Sequence, residues 1–203
     1  MFNCRVCKFI EKMGMDAKEY YDLISSQFSQ NIKIFEDMIS FFMNQQKISQ
    51  SDFDSYIHDK DIDYNKDYFE SLYEIFCCLE LFISDGKLKL YKFLQPEWNV
   101  PRVVLNKSDF ESVFSEDSQG IEFIYRGLSK EEFDSGEFRQ SWTTDLSVAE
   151  DFSSRDYNQP NGLVVKTLFN LEKVLHIAKL PEYEVIVENG AIKKPSVEII
   201  RTI

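Results

Sequence analysis

Between Gly14 and Gly86 the chain has no glycine, and apolar residues return there at helical spacing. Tyr20, Leu23, Ile24 and Phe28 form one set, and Ile34, Met38, Ile39 and Phe42 a second. Phe69, Leu72, Tyr73, Phe76, Leu79 and Phe82 form a longer third. Recurrence at three and four residues puts each set on one face of a helix. Breaks are expected at residues 29–31, at 49–52 with Ser51 or Asp52 capping a short helix, and at 61–65. Ser84-Asp85-Gly86 should stop the longest helix, with Gly86 as its C-cap. Residues 1–95 thus read as a bundle of four helices.

After Pro96 the pattern changes to strands and turns. Residues 121–126 alternate until Gly127 breaks them, and 162–169 are rich in β-branched residues. Residues 182–188 alternate up to Asn189-Gly190, a hairpin signal, and 195–203 read as a closing strand. Short helices are expected at 129–133 and at 146–153, the latter capped by Asp145 or Ser147. Residues 96–203 therefore read as a mostly antiparallel β domain, giving an α+β chain.

The 203 residues suit one or two domains with a real core. With 35 acidic and 23 basic side chains the net charge is −12, which disfavours wrapping long nucleic acid. The most apolar run, 75–83, contains Glu80 and is far shorter than the ~20 residues a spanning helix needs. Residues 1–12 mix charged and apolar positions, so no export signal is expected and a reducing cytosol is the expected setting. Cys4 and Cys7 have half the spacing of a zinc site, but Cys77-Cys78 makes a poor second half. His58 and His176 are not paired at ligand spacing, so packing cysteines and no metal are expected.

Three features of the second half carry chemistry. They are Tyr125-Arg126-Gly127, the hydroxyl cluster Ser141-Trp142-Thr143-Thr144 with Asp145, Ala149 and Phe152 behind it, and Glu182-Tyr183-Glu184-Val185-Ile186-Val187. Singly each has a plain reading: a surface Arg, cross-strand hydroxyl pairing, and a solvated strand face. A strand's period of two puts Glu182 and Glu184 on one side, where like charges repel unless they serve a purpose.

In this order the three motifs resemble the mono-ADP-ribosyltransferases of the Arg-Ser-Glu class, over about residues 96–203. The resemblance implies a split antiparallel β-sandwich and transfer of ADP-ribose from NAD to a macromolecule, with release of nicotinamide. It implies Glu184 as the catalytic carboxylate beside the ribose and Ser141 as the residue that orients it, with Thr143 supporting the strand. Glu182 would face the acceptor, and a Glu at this position goes with arginine acceptors. Arg126 offers a planar fork suited to the NAD pyrophosphate, and Gly127 would let backbone approach the nicotinamide amide. Residues 152–162 correspond to a loop over the nicotinamide, with Phe152 or Tyr157 to stack on the ring and Arg155 to reach a phosphate. Phe152 reads equally well as core beside Val148 and Ala149.

A protein acceptor is favoured, with a base of RNA or DNA as the alternative. Two further readings are a catalytically inactive binding module and an NAD glycohydrolase. With no export signal expected, the implied setting is an intracellular toxin of a toxin–antitoxin or phage-defence system, or an effector, with an antitoxin or immunity protein as partner. The helical half is open to three roles: binding the target, binding an inhibitor, or flanking NAD.

Overall fold

The structure, a computed structural model, describes residues 1–93, 98–110, 118–155, 162–178 and 183–202. The chain divides into two compact units, Met1–Val104 and Leu105–Ile203.

The first unit is helical. Asn3 caps α1 (Cys4–Lys12) by accepting from the Arg5 and Val6 N–H groups, and Asp16 caps α2 (Ala17–Phe28) in the same way. These are followed by α3 (Ile32–Phe42), α4 (Gln50–Asp59), α5 (Phe69–Asp85) and α6 (Lys87–Phe93). Six helices replace the expected four among the described residues. The Val6 and Ile10 pair, one turn apart, buries a first helix that the sequence reading left out. Gly86, at φ +84, ends α5, and a short helix that buries Leu90 starts directly after it.

The cap of α4 is Ser49, not Ser51 or Asp52. Asp52 stands at the third helical position and accepts from the Ser49 N–H at 2.8 Å, closing a reciprocal capping box. Aromatic rings link the helices inside: Phe42, Phe53 and Phe76 stand within 4.6 to 5.3 Å of one another along the chain of contacts.

The first unit extends past the expected boundary at Pro96, a residue outside the described ones. Trp98 and Val100 pack on the helical core and Val103 is buried in it. Asn99 donates its backbone N–H to Glu74 (3.0 Å), and its side-chain amide to Gln27 and Ser71. The Val104 N–H closes on the Gly14 carbonyl at 2.8 Å. Polar ties from an extended segment to three helix side chains outweigh the change in sequence pattern at residue 96.

The second unit holds β1 (Phe123–Leu128), α7 (Lys130–Ser135), β2 (Ser141–Thr143), α8 (Leu146–Arg155), β3 (Leu163–Leu168), β4 (Val174–Ile177), β5 (Glu184–Val187) and β6 (Glu198–Thr202). The chain is α+β. The six strands hydrogen-bond into one antiparallel sheet of order β4-β5-β2-β1-β3-β6, with register shifts in the β3–β6 and β4–β5 pairings.

Two expectations change here. Gly127 lies inside β1 rather than ending it. The Asn189-Gly190 turn closes through the Ala191 N–H and the Glu188 carbonyl, yet β6 pairs with β3, so no hairpin joins β5 to β6. A turn signal fixes a local reversal, and it leaves the choice of strand partner to the core.

The faces of the sheet are distinct. Ile124, Leu128, Trp142, Val165, Val185 and Val187 form one apolar layer, with Phe133 and Phe138 against it. The other face is covered over β1 and β3 by α8, through Ala149 and Ser153.

Candidate functional site

Strand register brings a residue from each of the three motifs onto one face. Tyr125 on β1 stands across from Thr143 on β2, and Thr143 across from Glu184 on β5. The three side chains form a row over three adjacent strands. Ser141, two residues from Thr143, shares that face. Its hydroxyl donates to Glu184 Oε1 at 2.8 Å, although Ser141 itself pairs with Ile186. Glu184 is 6% exposed, so this carboxylate sits in the protein and not on a solvated strand face.

The ends of these strands are held by the backbone. The Thr143 hydroxyl accepts from the Asp145 N–H at 3.0 Å, turning the chain from β2 into α8. Asp145 caps that helix, its Oδ1 accepting from the Ser147 N–H (2.8 Å) and hydroxyl (2.7 Å). Those bonds hold the Asp145 carboxyl below the usual carboxylate range. The Tyr183 carbonyl accepts from the Thr144 N–H at 3.1 Å, and the Ala178 N–H donates to the Glu184 carbonyl at 2.8 Å. Tyr183 has a left-handed backbone, φ +49, on the order of 1 kcal/mol above the usual basins for a bulky residue. It thereby turns an exposed ring outward immediately before the buried Glu184.

Tyr125, Thr144, Asp145, Leu146 and Tyr183 line an open pocket of about 380 Å³ at this end of the row. That is near the lower end of small-molecule sites, which span about 300–1,000 Å³.

Arg126 takes a different place. One residue off the Tyr125 register, it lies on the opposite face, with Trp142 and Val185. Its Nε and Nη2 donate to the two oxygens of Glu132 on α7, at 2.9 and 3.1 Å, and its Nη1 donates to the Ser141 carbonyl. Both side chains of this pair are about one-tenth exposed or less. Burial acts to raise the Glu132 carboxyl. The Arg126 charge and hydrogen bonds, with the Arg139 N–H at 2.9 Å, more than offset it and hold the group below its ordinary value. The fork expected to meet a phosphate is thus closed on Glu132, and it braces β1 against β2 and α7.

Gly127 is also committed to packing. A Cβ there would come within 2.2 Å of the Ala149 carbonyl oxygen and 2.5 Å of the Ser153 nitrogen, so the glycine lets α8 lie on β1. Gly162, just before β3, does the same: a Cβ there would come within 2.6 Å of the Ser153 carbonyl oxygen. Phe152 on α8 is 40% exposed, which removes the core reading for it. Arg155 is the last residue of α8, and its side chain lies outside the described residues. Glu182 and Tyr157 lie outside them too.

Two contributors escaped the sequence reading. Glu132 offers no signal beyond following Arg126 by six residues. Gln140, just before the hydroxyl strand, is buried and uses its whole amide: Nε2 donates to the Leu105 and Val187 carbonyls at 2.8 and 3.0 Å, and Oε1 accepts from the Leu105 N–H at 2.9 Å. It locks the start of β2 beside the end of β5. Among the described residues no group of three or more His, Cys, Asp or Glu side chains is placed to hold a metal, and no helix is long and apolar enough to cross a membrane.

Comparison with family models, with curated proteins and with solved structures finds no match to this chain.

Proposed function

We propose that the second unit is an NAD-dependent mono-ADP-ribosyltransferase domain. The observation that carries the reading is the 2.8 Å hydrogen bond from Ser141 to a buried Glu184, in line with Thr143 and Tyr125 across three strands.

In the proposed reaction the bond between nicotinamide and the ribose anomeric carbon breaks, and nicotinamide leaves with the electron pair. Positive charge then develops on the sugar, as in glycoside cleavage. A fixed carboxylate at Glu184 stabilises charge that exists mainly in the transition state, where catalytic gain is made. Ser141 fixes one carboxylate oxygen, so that the group need not reorganise as charge appears. The acceptor nucleophile forms the new bond to the anomeric carbon and gives up a proton. An arginine side chain of a protein is the favoured acceptor, and Glu182 is assigned to its side of the site. The setting that suits such an activity is an intracellular toxin or effector held in check by an antitoxin or immunity protein.

One observation favours a second reading. Because Arg126 is closed on Glu132 and faces away from Glu184, the domain has a rationale as a non-catalytic binding module of the same shape. Labelled NAD incubated with the full chain and cell lysate separates the two. Transfer of label to macromolecules, lost in Glu184→Gln with the fold intact, is the expected result. Undiminished transfer in that variant, or no NAD turnover or binding at millimolar concentration by the wild type, would overturn the transferase reading. Protease or nuclease digestion before the gel identifies the acceptor class, and free ADP-ribose as the sole product identifies a glycohydrolase.

A further inference from the structure

We infer that Cys4 and Cys7 form a redox site, a dithiol that closes reversibly to a disulfide by exchange with a small-molecule disulfide. The site belongs to the helical unit, and its chemistry needs no NAD.

The two cysteines stand three residues apart in the first turn of α1, where the Cys7 N–H donates to the Asn3 carbonyl at 3.0 Å. Helix geometry sets Cα atoms at this spacing about 5 Å apart, inside the range of about 4.4–6.8 Å that disulfides span. The Cβ atoms share one side of the helix, about 5–6 Å apart against about 3.5–4.5 Å in a disulfide. Closure therefore draws Cys4 inward by about 1–2 Å. As the first helical residue it can shift, because its N–H is not part of the helical ladder.

The four free thiols differ in what they can do. Cys4 is exposed, which takes it out of the packing role expected from sequence, and Cys7 beside it is half-buried. Cys77 and Cys78 are consecutive in α5, and neighbouring residues of a helix do not face each other. Burial pushes both of those thiols above their ordinary values. A disulfide between them would require α5 to unwind in the middle of the core.

Within the pair the roles divide by access. Burial, followed by the Glu11 carboxylate and Cys4 itself, raises the Cys7 thiol above its ordinary value. Cys7 thus rests protonated, its Sγ donating to the Phe2 carbonyl at 3.4 Å. Cys4 meets the reagent first. It loses a proton to solvent, and its thiolate attacks one sulfur of the incoming disulfide. The other sulfur leaves as a thiolate and takes up a proton. Cys7 then gives up its proton and attacks Cys4 Sγ, expelling the second half of the reagent as a thiol. Two protein thiols are oxidised to one disulfide, and the reagent's disulfide is reduced to two thiols.

Closure is felt in the core. It withdraws the Cys7 S–H from the Phe2 carbonyl, and the buried Phe2 ring packs 5.8 Å from Tyr20 and 5.2 Å from Tyr21. The oxidation state of an exposed turn is thereby passed to the α1–α2 contact.

Incubation of the reduced full chain with excess oxidised glutathione at neutral pH tests the assignment. Free thiols should fall from four to two, peptide mass spectrometry should place the disulfide between Cys4 and Cys7, and dithiothreitol should restore all four. Cys7→Ser should stop at glutathione bound to Cys4. In Cys4→Ser, Cys7 should react at least about tenfold more slowly than Cys4 does in the wild type. Near-ultraviolet circular dichroism, which senses buried rings, should shift on oxidation of the wild type and return on reduction. Far-ultraviolet spectra check the fold of each variant, and the wild-type result stands without them. Four thiols left unreacted, glutathione retained on wild-type Cys4 without closure, or a disulfide at Cys77–Cys78 would overturn the assignment. An unchanged near-ultraviolet spectrum in the closed form would overturn its coupling to Phe2.

Discussion

Ser141 and Glu184 are 43 residues apart in the chain, and the Ser141 hydroxyl meets Glu184 Oε1 at 2.8 Å across the β2–β5 ladder. The bond is diagonal, since Ser141 pairs with Ile186 and Thr143 stands opposite Glu184. It depends on both strands keeping register to the residue, because a slip of one would send the serine to the other face.

Removing that donor should therefore cost stability as well as any activity. Hydrogen bonds to charged groups contribute about 1.5–3 kcal/mol, so Ser141→Ala is expected to destabilise the second unit by that amount. Urea unfolding of the wild type and the variant measures it. A loss below about 0.5 kcal/mol, within the range of ordinary surface changes, would contradict the pairing.

The Arg126–Glu132 pair predicts an acid limb in the stability curve. The Glu132 pKa is held below its ordinary value of 4.5, so the pair's stabilisation is complete above that pH and is lost as pH falls through the depressed folded value. Glu132→Leu leaves Arg126 buried without its carboxylate and should cost about 3–5 kcal/mol at neutral pH. The difference from wild type should shrink towards acid. A difference that stays constant from pH 7 to pH 3 would remove Glu132 as the titrating group.

Two glycines separate steric fit from backbone freedom. At Gly127 a methyl would press on the Ala149 and Ser153 backbone of α8, and Gly127→Ala should cost about 3 kcal/mol or more. At Gly86 nothing lies within 4 Å of the added Cβ, and the φ of +84 is the whole penalty, about 1–2 kcal/mol. Chemical denaturation should rank them in that order, and equal losses would argue against the tight α8–β1 contact.

Tyr20 gives the opposite sign. Its hydroxyl is wholly buried in the helical core with no hydrogen-bond partner among the described residues, and burial pushes its pKa well above the ordinary range. Tyr20→Phe removes an unmatched polar group and should be neutral or stabilising, by up to about 1 kcal/mol. A clear drop in melting temperature would reveal a partner for that hydroxyl.

Much of the architecture follows from local patterning alone. Periodicity over residues 16–92 determines helices because a stripe of apolar side chains at 3.6 spacing can be buried in no other way. The alternation and turn residues after Pro96 determine strands for a similar reason. The shared face of Ser141 and Thr143 was legible because period two fixes which side chains of a strand lie together. The strand that carries Glu184, by contrast, begins only there, after the left-handed Tyr183, and Glu182 lies outside the described residues.

The first helix, the continuation of β1 through Gly127 and the pairing of β6 with β3 were not legible. Each depends on what lies across the fold: a core for Val6 and Ile10, the α8 backbone for Gly127, the β3 edge for β6. The role of Arg126 shows the limit best. Sequence presents a planar donor fork at a strand position, and any carboxylate or phosphate satisfies it. The register of β1 against β2 turned it to the core face, and α7 brought Glu132 to meet it, so the tertiary structure chose the partner. The same register brought Tyr125, Thr143 and Glu184 into a row, because side-chain alignment across strands is set by pairing between distant segments.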